Sequence, residues 1–509
     1  MKYKYKKVLI YDTGSFVSLA LRLSEDFGQV FYFCNWKQDF SRTQDLNIGA
    51  GFSEFTWVRN FWDCINEEKP DLIVFTDILG SDLQEQLIRM GFNVWGAREA
   101  DCLEIYKWDF IKYQNNIGMP VPNSIHVTGI DNLRKELYSI YNKYPSNIVD
   151  AKSLSVSYDI KQDDLTEEEL ADLREDIQEG KMQTVFQEDE TGTILDGNKR
   201  LEISQEENKK VKVFTLPKGT TPEEATKISD YLNKPRWIKI DADQRGDIET
   251  FKYIEPEATE LSILLPLERN LGSSAKTLDF IIQDNVDAEV ETGFDGWVID
   301  GEFSKQSFFG IEVKSKAYIG TAREYSKLPE SVRYCNDKLQ PALKAYGMRG
   351  SYHTEIREGN DGKYYLIDMT MRFGNPPTNI MMELIDNFAE ILYEGAKGNI
   401  VEPIFRAKYG CEVVIKSPLA MDNDFKLIVP EEIQKWVKQP YIYKNSETGS
   451  IIVMKKLVPN DFVGSVVAIA DTAEQALELC KQRLELIDGY MLSYDHECLE
   501  EAMNQLQEL

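Results

Sequence analysis

Short apolar runs separated by polar, glycine-bearing turns recur through the first hundred residues. Residues 7–11 read Lys-Val-Leu-Ile-Tyr, residues 71–75 read Asp-Leu-Ile-Val-Phe, and a third run covers 29–34. Runs this short, bounded by turn residues, predict buried strands. The stretches 16–27 and 82–90 read as helices, and Asn93-Val94-Trp95 reads as one more short strand. Strand and helix therefore alternate, which predicts an open parallel αβ sheet over about 1–100.

A different pattern appears at 350–377. Residues 351–357 alternate, Asn360-Asp361-Gly362 is a tight-turn signal, and 363–369 is a second apolar strand. Glu355 lies on the first strand and Asp368 on the second, thirteen positions apart. Adjacent antiparallel strands can bring such a pair side by side. Two carboxylates placed together repel unless a cation lies between them. Arg372 follows in a Gly- and Pro-rich exit, and His353 falls on the same strand face as Glu355. Oxygen ligands for a hard divalent cation, with an arginine nearby, suit phosphate chemistry. The plain alternatives are two solvated strand carboxylates and a structural arginine ion pair.

The exit itself, Arg372-Phe373-Gly374-Asn375-Pro376-Pro377, resembles the Arg-Phe-Gly-Asp-Pro-Glu signature of phosphoribosylamine–glycine ligases, members of the ATP-grasp superfamily. The similarity recurs along most of the chain in the same order. It implies a multidomain α/β and α+β protein: an N-terminal open parallel αβ domain over 1–100, an ATP-grasp domain over 101–408 with an insertion at about 130–215, and a small C-terminal αβ domain over 409–509. It also implies ATP and Mg²⁺ (or Mn²⁺) as cofactors. Lys107, Lys239, Gln283, Asp284 and Glu289 then stand at nucleotide positions: the two lysines for phosphate, Gln283 and Asp284 for the adenine edge, Glu289 for the ribose hydroxyls. Lys239 interrupts the apolar strand 236–240, and an ammonium there needs an anionic partner. Glu355, Asp368 and Thr370 take the metal positions, with Thr370 where the family has asparagine. Arg372 becomes the stabiliser of charge on the transferring group, with His353 as a further catalytic candidate. The family's Gly-Gly-Arg-Glu loop for the sugar phosphate is replaced here by Asp12-Thr13-Gly14-Ser15-Phe16.

The remaining pattern fills in this frame. The segment 130–215 is rich in charged residues, yet Thr166 reads as a helix N-cap and 209–214 as a strand, so an inserted subdomain is expected. Pro222 starts a helix. Residues 236–240, 278–284, 294–303 and 308–313 read as strands, and Arg245-Gly246-Asp247 stands at the phosphate flap. Lys314 and Lys316 alternate, facing either a phosphate or solvent, and 319–329 stands where the family has a long loop. A helix over 379–395, a strand over 463–470 and a Thr472-capped helix complete the reading.

Composition narrows the function classes. The chain has 509 residues, 58 Lys plus Arg against 86 Asp plus Glu, and net charge −28. Such a surface repels nucleic acid and anionic membranes. No segment approaches the roughly 20 apolar residues that cross a bilayer. Seven scattered cysteines without a C-x-x-C pair suggest buried thiols in a reducing compartment, hence the cytoplasm. P-loop, G-x-S-x-G and H-E-x-x-H motifs are absent. The resemblance implies an ATP-dependent ligase that joins a small-molecule carboxylate to an amine through an acylphosphate, related to purine biosynthesis, acting as a monomer or homodimer. The alternative is a degenerate ATP-grasp protein that binds nucleotide or serves a structural role.

Overall fold

The computed structural model describes residues 2–34, 47–78, 80–139, 143–157, 165–179, 182–233, 236–241, 250–253, 259–287, 291–455 and 460–509. The chain divides into two compact units, one formed by 1–122 with 286–509 and the other by 123–285.

The first unit begins with the expected parallel sheet, in the order Thr56–Trp57, Phe27–Cys34, Tyr3–Asp12, Leu72–Phe75, Val94–Trp95. Successive strand side chains point to opposite faces. Val8 and Ile10 therefore enter one core while Leu9 enters another, with Ile73 and Phe75. Both faces are covered, which is why these strands read as unbroken apolar runs. The helices Val17–Ser24 and Ser81–Arg89 fall where the pattern placed them, and a third helix, Phe61–Glu68, was not anticipated.

The rest of this unit is built on a large antiparallel sheet. Its order is Tyr364–Thr370, Arg349–Glu358, Glu291–Ile299, Gln306–Val313, Ala317–Glu324, Tyr409–Lys416, Phe462–Ala470, Val437–Lys438, and a short strand Glu302–Phe303 pairs with Glu291–Ile299. The sheet runs without a break past position 409, because Tyr409–Lys416 pairs with Ala317–Glu324. Two sequence expectations are corrected here. Ala317–Glu324 is a strand, not a loop: it is hydrogen-bonded on both sides and its first five residues are buried. The helix expected over 379–395 is two, Pro377–Leu384 and Phe388–Ala396, because Ile385 turns extended and bridges to Phe405.

Four glycines line up across this sheet, Gly293 against Gly310, Gly310 against Gly320, and Gly320 against Gly410. A Cβ on Gly310 would stand 2.3 Å from the Tyr318 hydroxyl, and one on Gly410 would stand 2.2 Å from Ile380 Cγ2. The bare row lets the Tyr318 side chain cross the sheet face and lets helix Pro377–Leu384 settle against it.

The second unit holds two sheets. One is antiparallel in the order Thr250–Tyr253, Arg236–Asp241, Asp279–Asp284, Ser124–Thr128, with Ile238, Ile240, Phe280 and Ile282 packed on helices Ile130–Leu137 and Leu265–Leu271. The other belongs to the segment without a family counterpart: Ser146–Asp150, Lys210–Leu216, Gln183–Glu188, Ile194–Asp196. Val211 and Val213 face one core there, Phe214 and Leu216 another. Thr166 caps helix Glu167–Gln178 in a reciprocal box with Glu169. The α/β and α+β architecture expected from the sequence is the architecture observed. Among the described residues no helix is long and apolar enough to cross a membrane, and all seven cysteines are free thiols.

Candidate active site

The hairpin Arg349–Glu358 and Tyr364–Thr370 places Glu355 directly opposite Asp368, and His353 directly opposite Thr370. All four side chains share one face of the large sheet, because residues opposite or two apart on a strand point the same way. The pairing of carboxylates anticipated from the sequence is thus present. The turn is tight, closed by Gly362 N–H donating to Gly359 O at 2.8 Å with Gly362 at φ +72°.

Each carboxylate meets a lysine. Lys107 Nζ stands 2.8 Å from both oxygens of Asp368, and the Lys107 side chain is only 7% exposed. Lys107 is therefore a counter-ion of the candidate metal ligand. Lys314 Nζ lies 2.5 Å from Glu355 Oε1, 3.2 Å from Glu312 Oε2 and 3.6 Å from Glu291 Oε1. It reaches them because residues 314–316 form a turn, with Ser315 at φ +60°, and not the strand edge the sequence suggested. Burial and the neighbouring acids Glu291 and Asp368 raise the Glu355 carboxyl above its usual range, against the pull of Lys314. Burial pushes Glu312 up to about 7, with Lys314 again opposing. Burial works against the Lys314 charge, but Glu355, Glu312 and Glu291 together hold its ammonium above the ordinary lysine range.

His353 is buried, and its Nδ1 lies 2.8 Å from Asp295 Oδ1. The Tyr318 hydroxyl donates to the other oxygen of Asp295. His353 Nε2 meets no partner among the described residues. Arg372 does not turn to the carboxylate pair: its Nε donates to Glu104 Oε1 at 3.0 Å and lies 3.3 Å from Asp77 Oδ1. Glu104 also accepts the Met371 N–H, so it holds the strand exit and the guanidinium together.

The turn at Asp12–Phe16 is occupied from within. Asp12 is fully buried and accepts hydrogen bonds from Phe16 N–H at 3.0 Å, the Tyr32 hydroxyl at 2.6 Å and Thr76 Oγ1 at 2.5 Å. A carboxylate thus takes a backbone N–H of the kind that a phosphate would use. Tyr441 also covers the turn, since a Cβ on Gly14 would stand 2.7 Å from its ring.

In the second unit Lys239 and Gln283 lie on the same sheet face. Lys239 is opposite Ile281, and Gln283 is opposite Trp237. Both side chains are buried, and Gln283 Nε2 donates to Ser124 Oγ at 3.1 Å. Asp284 points to the other face by strand alternation. There it faces Arg236, whose Nε is 3.7 Å away, and Asn123 Nδ2 donates to it at 3.3 Å. Its carboxylate thus has a local structural partner. Glu289 and the flap residues Arg245, Gly246 and Asp247 lie outside the described residues.

Sequence reasoning missed Asp295, Tyr318, Glu312 and Glu412. The signal was available. Asp295 and Glu412 each interrupt an otherwise apolar strand, the same argument that singled out Lys239.

No protein-family model matches the chain, and no curated protein does. Solved structures do match. Phosphoribosylamine–glycine ligase from Thermotoga maritima superposes with a TM-score of 0.58 at 14% identity, over 96% of this chain and 98% of that one. The biotin carboxylase domain of 2-oxoglutarate carboxylase from Hydrogenobacter thermophilus, solved with MgADP, ADP and bicarbonate, gives 0.54 at 12% identity, over 98% and 94%. Biotin carboxylase from Campylobacter jejuni gives 0.51 at 12%, over 96% and 93%. Likeness at this identity is likeness of fold, and it assigns the chain to the ATP-grasp architecture common to those enzymes.

Proposed function

We propose that the protein is an ATP-dependent ligase that joins a small-molecule carboxylate to an amine through an acylphosphate. The fold supports this reading, and one observation carries it: Glu355 and Asp368 stand directly opposite each other on a sheet face that also bears Glu312, Glu291 and His353. Among the described residues no group of three or more potential ligands is arranged to hold a metal. The donor chemistry nevertheless suits a hard divalent cation, because carboxylate oxygens are its preferred ligands and cationic ammonium groups already gather at them. Glu355 and Asp368 would hold the ion, which when bound offsets phosphate charge. Lys107 and Lys314 bring positive charge to the two carboxylates and so offset their mutual repulsion. Lys239 and Gln283 are the residues of the second unit assigned to nucleotide.

The substrate differs from that of phosphoribosylamine–glycine ligase in this reading. The Asp12 carboxylate and the Tyr441 ring fill the turn where a sugar phosphate would be received. A second reading, a protein that binds nucleotide without turnover, is favoured by one observation: Arg372 is engaged by Glu104 and Asp77 and not by the carboxylate pair. Phosphate release from Mg·ATP, measured across a panel of amino acids and amines, separates the two. Turnover with some pair is expected, and the Asp368→Asn variant should lose at least about 100-fold of it, the scale on which removal of one charge-stabilising group acts. A fully folded protein that releases no phosphate with any pair supports the second reading. Near wild-type turnover in Asp368→Asn rules out the metal assignment.

A further inference from the structure

Arg98 opens the short turn Arg98–Asp101 with its backbone in the left-handed region, at φ +57°. That conformation is costly for a residue with a Cβ, and such strain persists where its surroundings or a function demand it. The residue is only 9% exposed. Among the described residues its guanidinium makes no hydrogen bond or ion pair, and its buried Nε meets no acceptor. Gln84 lies beside it, completely buried. The Arg98 N–H donates to Gln84 Oε1 at 2.9 Å, so the other end of the amide, Nε2, is the donor left over, and it too meets no partner among the described residues. A second guanidinium, that of Arg349, acts on the first: burial and then the Arg349 charge pull Arg98 down to about 10, with Asp300 and Glu85 opposing. Arg349 is itself committed, with Nε donating to Asp300 Oδ1 at 2.8 Å and Nη1 to Ala396 O at 3.2 Å.

Donors are thus in surplus here: the guanidinium of Arg98 and the amide Nε2 of Gln84, with the Asp300 carboxylate taken by Arg349. Leaving such groups buried without acceptors is costly, most of all for a charged one. A tetrahedral oxyanion brings several acceptor oxygens together with the opposite charge, and the guanidinium fork matches its geometry. Against a net charge of −28, a local excess of cationic donors is not a general property of this surface. We propose that Arg98 and Gln84 form a binding site for a phosphate group, either the free ion or the phosphate of an ester, with Arg349 adding to the local positive charge. The site is separate from the carboxylate pair: Arg349 and Glu355 stand at the two ends of one strand segment, roughly 20 Å apart at 3.3 Å per residue. It can bind whether or not the chain is a ligase. The plain alternative is an arginine that reaches water with its tip and a glutamine that only pins the turn.

Melting curves of the full chain, with inorganic phosphate titrated at constant ionic strength, test it. A ligand that binds the folded state raises the melting temperature along a saturable curve. The wild type should respond in this way, and acetate should need at least about tenfold higher concentration, the effect of one missing charge-assisted contact. Arg98→Gly removes the guanidinium and suits the left-handed backbone, so it should fold and lose the response. Gln84→Glu sets a carboxylate in place of the free amide and so answers Arg98 from within the chain; it should lose the response as well. Glycerol 3-phosphate separates the two sources. A response at about a tenth of the phosphate concentration or less, absent in Arg98→Gly, identifies an ester, and an equal or weaker one identifies the free ion. A wild-type curve that neither phosphate compound moves overturns the proposal and leaves the plain alternative. A shift that Arg98→Gly shares in full belongs to another site and overturns it too, and an equal response to acetate overturns the assignment to phosphate.

Discussion

Glu412 is a buried group whose sequence signal, one carboxylate in an apolar strand, has a consequence measurable in solution. It sits fully buried in strand Tyr409–Lys416, where Asn379 Nδ2 donates at 2.9 Å and Ser465 Oγ at 2.5 Å to the same oxygen, Oε1. Oε2 meets no donor. Burial, partly offset by those two donors, pushes the carboxyl up to about 8 from an ordinary 4.5. The sign follows from proton binding: between these two values the unfolded chain ionises Glu412 while the folded chain keeps it protonated. Stability from this group is therefore complete below pH of about 4.5, falls as pH rises to about 8, and is level above that. Glu412→Gln imitates the neutral acid at every pH. Its unfolding free energy should match the wild type near pH 4.5 and exceed it at pH 8 by on the order of 3–5 kcal/mol. Denaturant titrations of both proteins at the two pH values measure this, and a difference that does not grow with pH refutes the assignment. Lys107 and Asp368 illustrate the limit of sequence reading at the same scale. They are separated by 261 positions, and nothing local in either segment announces the bond.

Elements were legible where burial imposes a period. The parallel strands of the first sheet and the hairpin around Gly362 were readable because their side chains alternate between defined faces or flank a residue in the left-handed region. Ala317–Glu324 was not, since Gly320 and the polar residues at its end mask a strand whose identity comes from two long-range neighbours. The break at Ile385 was hidden for a similar reason: the apolar pattern continues through it, and only the bridge to Phe405 makes the backbone extend. The glycine row makes a prediction of its own. Gly410→Ala places a methyl 2.2 Å from Ile380 Cγ2, and neither a strand backbone nor a β-branched side chain can yield cheaply. Overpacking of this kind should cost about 1–3 kcal/mol. Adding Ile380→Ala removes the obstacle, so the double variant should be more stable than the sum of the two single losses by about 1 kcal/mol or more. Simple additivity in a double-mutant cycle means the helix Pro377–Leu384 is not seated on that glycine.

At the scale of the whole molecule, the hydrophobic cores respect the division of the chain. The buried clusters of 1–122 and 286–509 contain no residue from 123–285, and the three clusters of the second unit contain none from the first. Cooperative unfolding follows shared burial, so damage to one core should stay within the structure that depends on it. Phe214 offers the test. It is completely buried in the sheet of residues 146–216, and its ring stacks on Phe186 with centroids 5.3 Å apart. Both rings belong to the segment for which the sequence offered no counterpart. Phe214→Ala should remove about 3–5 kcal/mol from the stability of that sheet through lost burial and the cavity left behind. In hydrogen exchange followed by mass spectrometry, peptides from Lys210–Leu216 and Gln183–Glu188 should then exchange faster by orders of magnitude. Peptides from Arg349–Glu358 and Tyr364–Thr370 should keep their wild-type rates. Parallel acceleration of both sets would mean that the inserted sheet stabilises the carboxylate hairpin, and the separation of cores would then have no energetic meaning.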